Sequence, residues 1–266
     1  MFRKLLKRMA SRLGYAVIQV RNRYEQDGLF SVHSQAWRAT PEFKAAYARG
    51  VQAAHGADPG VEWRTHIALW AARVALSARG DFFECGVNAG FLSSAIMHRL
   101  NWSELARRFY LIDTFSGPVL EQYSPQEVAS GRLRIAQTGL DRGAYVTDID
   151  GIRANFSEWP SAIVVPGAVP EILHSLDPGE VAFVHIDMNC AAPDVAAFEF
   201  FWDRLSPGGI VLFDDYGYYG HDSQREAIDA AVRLAGIEIL ALPTGQGLVV
   251  KPPQSQIPSP QSRTKC

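Results

Sequence analysis

Cysteine is scarce in this sequence. It occurs at positions 85, 190 and 266, and no two of these form a C-x-x-C pair. An odd number of scattered cysteines argues against a disulfide framework and a zinc ribbon, and it favours a reducing, cytoplasmic setting. No uncharged apolar run approaches the ~18 residues that a membrane-spanning helix needs. The formal net charge is only −2, which argues against a dedicated nucleic-acid-binding protein.

Basic residues are concentrated at the start of the chain. Residues 1–24 hold seven Lys and Arg residues and no acid. Apolar residues recur there at helical spacing, which predicts a short basic amphipathic helix. It could lie on an anionic membrane surface, as a weak contact through residues 1–24. We favour the other interpretation, in which it packs on the acidic body of the protein or on a partner subunit of a homo-oligomer.

The full sequence of 266 residues is 47% hydrophobic, which suffices for one α/β domain with extensions. Thr40-Pro41-Glu42 is a strong helix start, and residues 1–60 are predicted to form an N-terminal helical extension. From residue 61 to 251, seven short β-rich runs alternate with helical stretches. This alternation predicts a doubly wound, mostly parallel seven-stranded sheet of the Rossmann-like kind. Residues 252–266, rich in Pro, Ser and Gln, are predicted to form a disordered tail.

A glycine-spaced turn follows the first strand of this domain. The run from Phe82 to Gly90 reads as a buried strand, an acid and a G-x-x-x-G turn directly before a helix. A dinucleotide-binding loop would read G-x-G-x-x-G, whereas Asn88 stands where its middle glycine belongs. Glu84, just before Gly86, suits a cationic ligand such as an aminoacyl sulfonium better than a pyrophosphate. The alternative is an ordinary tight turn between strand and helix.

The second strand ends in Asp113. An acid at this position usually holds the hydroxyls of a ribose, although Asp113 could instead cap the turn that follows it. Taken together, Glu84, Asp113 and the Gly86–Gly90 turn with Asn88 look like the S-adenosylmethionine site of a class I methyltransferase.

Three acids end the next two core strands. Asp187 follows one buried run, and Asp214 and Asp215 follow the neighbouring one. Carboxylates this close disfavour full ionisation unless a cation neutralises them, and oxygen ligands suit Mg²⁺ or another divalent cation. The alternative is that Asp214 or Asp215 caps the following loop, which explains one acid more readily than three.

Five motifs in order carry a more specific resemblance. They are E-C-G-V-x-x-G at 84–90, D-T-F-S-G at 113–117, P-G-x-V-P-E-I-L at 166–173, H-I-D-x-N at 185–189 and P-G-G-I-V-L-F-D-D-Y-G at 207–217. Over roughly residues 40–251 the chain resembles the macrocin O-methyltransferase-like family. The resemblance implies Mg²⁺-dependent methylation of sugar hydroxyls in natural products. It also implies Asp187, Asp214 and Asp215 as metal ligands, Asp187 as a candidate base and Gly167 as a cofactor contact. Asn189 departs from the family, which often has a second acid there.

His221 follows a loop with two tyrosines beside the predicted metal site. Its ordinary pKa of ~6.5 suits a general base, and a surface histidine at a helix start is the alternative. The predicted function is S-adenosylmethionine-dependent transfer of a methyl group to a small-molecule hydroxyl. Two other functions stay open: a nicotinamide-dependent oxidoreductase, and a non-catalytic module attached to membranes by the basic helix.

Overall fold

The computed structural model describes residues 2–15 and 23–253. Its main feature is a seven-stranded sheet with helices on both faces. Most of the tail that was predicted to be disordered lies outside the described residues, from position 254 onward.

The strands and helices follow the chain in this order. A two-stranded hairpin, β1 and β2, precedes the seven strands of the main sheet: β1 Tyr24–Gln26, β2 Leu29–Ser31, β3 Asp81–Cys85, β4 Phe109–Asp113, β5 Ala162–Pro166, β6 Val181–Ile186, β7 Leu205–Phe213, β8 Leu240–Ala241 and β9 Gly247–Val250. The helices are α1 Phe2–Arg12, α2 Pro41–Ala53, α3 Glu62–Ala75, α4 Phe91–Arg99, α5 Pro125–Ala129, α6 Arg132–Asp141, α7 Ile149–Asn155, α8 Ala191–Trp202 and α9 Asp222–Leu234.

The strand order explains where a ligand would bind. Across the sheet the strands run β5-β4-β3-β6-β7-β9-β8. The five strands from β5 to β7 are mutually parallel, and β9 is antiparallel to β7 and β8. From β3 the chain first adds β4 and β5 on one side, and it then continues on the other side of β3 with β6 and β7. Ligands of doubly wound sheets bind at such a switch point, beyond the carboxyl ends of the strands. The predicted fold class is confirmed.

Two hydrophobic cores, one on each face of the sheet, hold the helices in place. Successive residues of a strand point to opposite faces, so Phe82 belongs to the core under α2, α3 and α4, whereas Phe83 belongs to the core under α8 and α9. Both side chains are completely buried. The predicted start of α2 is present as well, because Thr40 accepts a hydrogen bond from the backbone N–H of Phe43.

The segment between β4 and β5, which has little pattern in the sequence, is folded. Ser124 and Glu127 form a reciprocal capping box at the start of α5, which stabilises a helix this short. Glu127 is buried and its carboxylate also accepts the backbone N–H of Ala191, at 2.8 Å. The segment is therefore fixed to the start of α8, next to the carboxyl ends of the strands.

The basic helix α1 forms as predicted, but it does not bury its apolar face on the described part of its own chain. Leu5, Leu6, Met9 and Leu13 are 45–73% exposed. Packing of α1 on the described part of the acidic body is therefore not seen, and contact with a partner subunit or with an anionic surface stays a prediction. No helix among residues 2–15 and 23–253 is both long and apolar enough to cross a membrane.

Candidate functional site

A pocket opens at the carboxyl ends of β3, β4 and β6. Four of the six predicted cofactor residues line it: Gly86, Asn88, Asp113 and Gly167. Asp187 lines it too, together with Tyr123, Tyr145, Met188, Asn189 and Cys190. Glu84 and Gly90 are not among its lining residues.

The two glycines of the turn serve close packing. Gly86 has a φ of +91°, and a Cβ atom there would lie 1.9 Å from the carbonyl oxygen of Asp187. Gly90 has a φ of +80°, and a Cβ atom there would lie 2.6 Å from the ring of Phe156. Only glycine tolerates both the conformation and the contact. Gly86 thus brings the backbone of β3 against that of β6, whereas Gly90 lets α4 begin next to a core side chain.

Asp113 both caps a turn and faces the pocket. Its Oδ1 accepts the backbone N–H of Phe115 at 2.7 Å, and its Oδ2 accepts the backbone N–H of Asn88 at 2.8 Å. The capping role that the sequence offered is present, and the ribose-binding role stays a prediction for a residue that also lines the pocket. Asn88 in turn accepts the backbone N–H of Val146 at 2.9 Å, which ties the segment before α7 to the pocket wall.

We expect Asp113→Ala to weaken binding of S-adenosylhomocysteine by ~1.5–3 kcal/mol, because a charge-assisted hydrogen bond to the ribose is lost. Isothermal titration calorimetry measures this directly. Asp81→Ala is the matched control. Asp81 also accepts a hydrogen bond from a backbone N–H, that of Arg108 at 2.8 Å, but it lies at the start of β3, at the edge of the sheet opposite to Asp113. Equal affinities for the Asp113→Ala protein and the wild type would place the ribose elsewhere.

Glu84 faces a histidine on the neighbouring strand. The register pairs Glu84 with His185, and Glu84 Oε1 lies 2.9 Å from His185 Nδ1. The other carboxylate oxygen of Glu84 is buried without a partner in the described structure. Burial raises the pKa of Glu84. Burial opposes protonation of His185, but its contacts with Asp214 and Glu84 outweigh this and raise its pKa to about 10.

An arginine joins the acids of the site. Arg64, in α3, is 9% exposed; its Nη1 donates to the carboxylate of Asp214 and, at 3.1 Å, to Oδ1 of Asp215. Its Nε pairs with Asp27 in the turn between β1 and β2. Its guanidinium carbon also lies 4.6 Å from the centre of the Tyr218 ring. Buried cations of this kind stabilise only when their charge is fully compensated, and here three carboxylates compensate it.

Arg64 was not predicted as a site residue, although the sequence holds a signal for it. Ala68 and Ala72 follow it on the same face of α3 and are completely buried, since residues four apart share a helix face. A single cation on an otherwise small and apolar face indicates a buried acidic partner.

The three acids differ in how well their charge is compensated. Burial disfavours ionisation of Asp214, but Arg64 and His185 outweigh it and hold its pKa well below the usual range. Gln246 also donates to its Oδ1, at 2.8 Å. Asp187, by contrast, has its pKa raised well above the usual range by burial and by the charges of Asp214 and Asp215. Burial and the charges of these two neighbours therefore disfavour the ionised form of Asp187.

The residue types of these acids suit a divalent cation, because hard carboxylate oxygens are the ligands that Mg²⁺ prefers. The arrangement differs from the predicted one, since Arg64 takes the cationic place between Asp214 and Asp215. Within the described ranges, no cluster of three or more His, Cys, Asp or Glu side chains is arranged to hold a metal ion.

His221 is not a surface residue but 2% exposed. Its Nδ1 lies 2.6 Å from Oε1 of Gln224, and its Nε2 lies 4.0 Å from Oδ2 of Asp215. Burial lowers its pKa, which favours a neutral ring. The structure thus brings His221 to Asp215, at the same rim as Asp187, although not into the wall of the pocket.

The sheet order, the glycine turn and the acid after β4 define the fold of a class I methyltransferase. The chain belongs to the methyltransferase domain family, whose model matches residues 83–216. The resemblance and the methyltransferase prediction drawn from the sequence are thereby confirmed.

Known relatives agree with this assignment. The chain is 27% identical over 154 residues to the 8-demethyl-8-(2,3-dimethoxy-alpha-L-rhamnosyl)-tetracenomycin-C 4'-O-methyltransferase of Streptomyces olivaceus; the match covers 56% of each chain, so it spans little more than half of that relative. The O-methyltransferase NovP has a similar fold, with a TM-score of 0.59 and 16% identity over 77% of this chain and 88% of that one. The calicheamicin methyltransferase CalS11 also has a similar fold, with a TM-score of 0.54 and 18% identity over 83% of this chain and 98% of that one.

Proposed function

We propose that this protein is an S-adenosylmethionine-dependent O-methyltransferase that methylates a hydroxyl of a small molecule, such as a sugar carried by a natural product. The observation that carries the proposal is one pocket, at the switch point of the sheet, whose wall contains both Asp113 and Asp187. The name of the tetracenomycin relative, which specifies a rhamnosyl hydroxyl, supports a sugar acceptor. The free, buried thiols of Cys85 and Cys190 suit the reducing cytoplasm.

The residues of the pocket fit the cofactor. Asp113 would accept the ribose hydroxyls, and Gly86 and Gly167 would admit the cofactor close to the backbone. Glu84 keeps one unpartnered carboxylate oxygen beside this turn, which suits the ammonium of the methionine part. When bound, the cofactor supplies a methyl group on a sulfonium, so that the leaving group is a neutral sulfide.

The work left to the chain is to position the hydroxyl and to receive its proton. The hydroxyl oxygen forms a bond to the methyl carbon as the carbon–sulfur bond breaks, and its proton passes to a base. Asp187 lines the pocket, and burial with neighbouring charge raises its pKa, which makes it a better proton acceptor than an ordinary carboxylate. His221, buried and neutral, is the second candidate. Holding the reacting atoms in line contributes much of the rate enhancement.

A divalent cation, with Mg²⁺ as the natural candidate, belongs to this proposal. Asp187, Asp214 and Asp215 would hold it, with Arg64 retained as the partner of the last two. The cation would lower the pKa of the acceptor hydroxyl and stabilise the charge that develops on its oxygen.

Binding and turnover test the function together. We expect calorimetry to give a micromolar or tighter dissociation constant for S-adenosylhomocysteine and no measurable binding of NAD. We also expect transfer of radiolabelled methyl groups to at least one member of a panel of rhamnosides and related glycosides. Binding of NAD in place of the S-adenosyl ligand would favour an oxidoreductase, and binding of neither would favour a non-catalytic module.

A further inference from the structure

The basic helix α1 carries an apolar face that is largely exposed. Leu5, Leu6 and Met9 have the spacing that places side chains on one face of a helix, and Leu13 continues this face just beyond the last turn. All four are more than two-fifths exposed. Single apolar residues on a surface need no explanation, but a contiguous apolar patch marks an interaction site.

The opposite face of α1 is cationic and unpaired. Lys4, Lys7 and Arg8 share that face at the same helical spacing, and they are exposed. Residues 25–266 hold 28 Asp and Glu against 19 Lys and Arg, so the rest of the chain attracts these cations. All 28 acids belong to the ranges that the structure describes, yet none of them forms an ion pair with the three cations. The positive charge of α1 is therefore available to another anionic partner.

A bilayer with anionic lipids matches both faces of the helix. Its surface is negatively charged, and an apolar layer lies directly beneath the headgroups. Nucleic acid and acidic protein surfaces offer the charge without such a layer. A helix with Leu on one face and Lys and Arg on the other lies in the plane of the interface, with its apolar face buried ~5–10 Å deep. With eleven residues, α1 is too short to span a bilayer, which takes ~20.

A second copy of the chain matches α1 less well. A specific protein interface takes about 20–30 residues from each partner, and it is depleted in Lys. The apolar face of α1 offers only Leu5, Leu6, Met9 and Leu13, with cations on the other side of the same helix. Two such helices brought together would also carry like charges, because α1 contains no acid.

We propose that α1 attaches this protein reversibly to membranes that contain anionic lipids, with the four apolar side chains in the bilayer and the cations at the headgroups. Long Lys and Arg side chains reach headgroups from a helix in this position. Each cation near an anionic surface strengthens binding about five-fold. The proposal is independent of the proposed function, since no residue of the pocket enters it.

Co-sedimentation of the full chain with lipid vesicles tests the proposal. We expect the wild type to bind vesicles of equimolar phosphatidylcholine and phosphatidylglycerol at least ~100-fold more tightly than vesicles of phosphatidylcholine alone. Raising the ionic strength from ~0.1 M to ~1 M shortens the Debye length from ~10 Å to ~3 Å. This change should remove most of the preference for the anionic vesicles.

Two variants of α1 separate the contributions of charge and of apolar contact. The charge variant, Lys4→Gln with Lys7→Gln and Arg8→Gln, should bind the anionic vesicles about 100-fold more weakly. The apolar variant, Leu6→Gln with Met9→Gln, should bind them at least ~10-fold more weakly, because two apolar side chains no longer enter the bilayer. Glutamine is a good helix former, so α1 is retained in both.

Matched variants elsewhere on the chain serve as controls. Lys44→Gln with Arg79→Gln and Arg153→Gln removes three exposed cations outside α1. Ile135→Gln with Leu240→Gln removes two exposed apolar side chains outside α1. We expect both control proteins to bind the anionic vesicles nearly as tightly as the wild type does.

The melting temperature and the molar mass from light scattering show whether α1 has another role. We expect both α1 variants to keep the wild-type values, because the substituted side chains are exposed. The proposal would be overturned if the wild type did not bind the anionic vesicles, or if the α1 variants bound them as tightly as the wild type. No vesicle binding by the wild type, together with a lower mass of the apolar variant, would show that α1 joins two copies of the chain. Neither result would bear on the proposed function, because vesicle binding does not depend on turnover.

Discussion

Replacing Arg64 with methionine is expected to lower the free energy of unfolding by about 3–5 kcal/mol, the cost of removing one partner from a buried ionic cluster. The side chain is 9% exposed and compensates the charges of Asp27, Asp214 and Asp215. Without it these carboxylates would remain in a poorly solvated site, and two of them, Asp214 and Asp215, already raise the pKa of the neighbouring Asp187. Urea denaturation at neutral pH measures the difference.

Two further variants make this result specific. Arg79→Met is the control, because Arg79 also pairs with an acid, Glu180 at 2.9 Å, but is 84% exposed; the expected loss is below ~1 kcal/mol. Combining Arg64→Met with Asp214→Asn should cost less than the sum of the single changes, since the second removes a charge that the first left unpaired. A loss for Arg64→Met as small as that of the control would show that the cluster is solvated.

The pH dependence of this loss has a definite sign. Arg64 holds the pKa of Asp214 below its ordinary value of 3.8, so the pair contributes stability above that pH, and the contribution is lost as the pH falls through the lowered value. The difference between wild type and Arg64→Met should therefore be largest near neutrality and shrink below pH ~4.

The parts of the fold that depend on local sequence could be predicted. β3, α4, β6 and α9 begin and end where their apolar runs and the neighbouring glycines indicate, because these signals act within a few residues. The location of the site at the carboxyl ends of the strands could be predicted as well, since parallel strands bring these ends to one edge of the sheet. The hairpin β1–β2 was missed because its strands are only three residues long.

The parts of the site that depend on distant contacts could not be predicted. Arg64 reaches acids that lie 150 residues further along the chain, and Gln224 reaches Asp194 across 30 residues. Periodicity placed each of these residues on a helix but not opposite its partner. Glu84 shows the same limit, because the strand register directs its carboxylate to His185 rather than into the wall of the pocket.

Removing divalent cations is expected to reduce methyl transfer at least ~100-fold, which corresponds to about 3 kcal/mol of lost transition-state stabilisation. The physical reason is that Asp214 and Asp215 raise the pKa of Asp187 even though Arg64 pairs with both of them, so that a bound cation would favour the ionised form of Asp187. Turnover is measured after treatment with EDTA and again after adding Mg²⁺ or Mn²⁺, which should restore it. Affinity for S-adenosylhomocysteine should not change, because Asp113, the proposed ribose contact, lies at another strand end.

The same expectation can be tested without turnover, by measuring Mn²⁺ affinity with electron paramagnetic resonance. Asp187→Asn should weaken Mn²⁺ binding more than Asp214→Asn does. The reason is that the Asp214 carboxylate is already paired with Arg64, and its Oδ1 already accepts a hydrogen bond from Gln246. Asp187→Asn should also lower kcat further, since it removes a proton acceptor along with a ligand. The expectation would be wrong if metal-free wild-type protein kept full turnover and bound no Mn²⁺. Arg64 would then be the cation that neutralises Asp214 and Asp215, and the acids would act only as bases and caps.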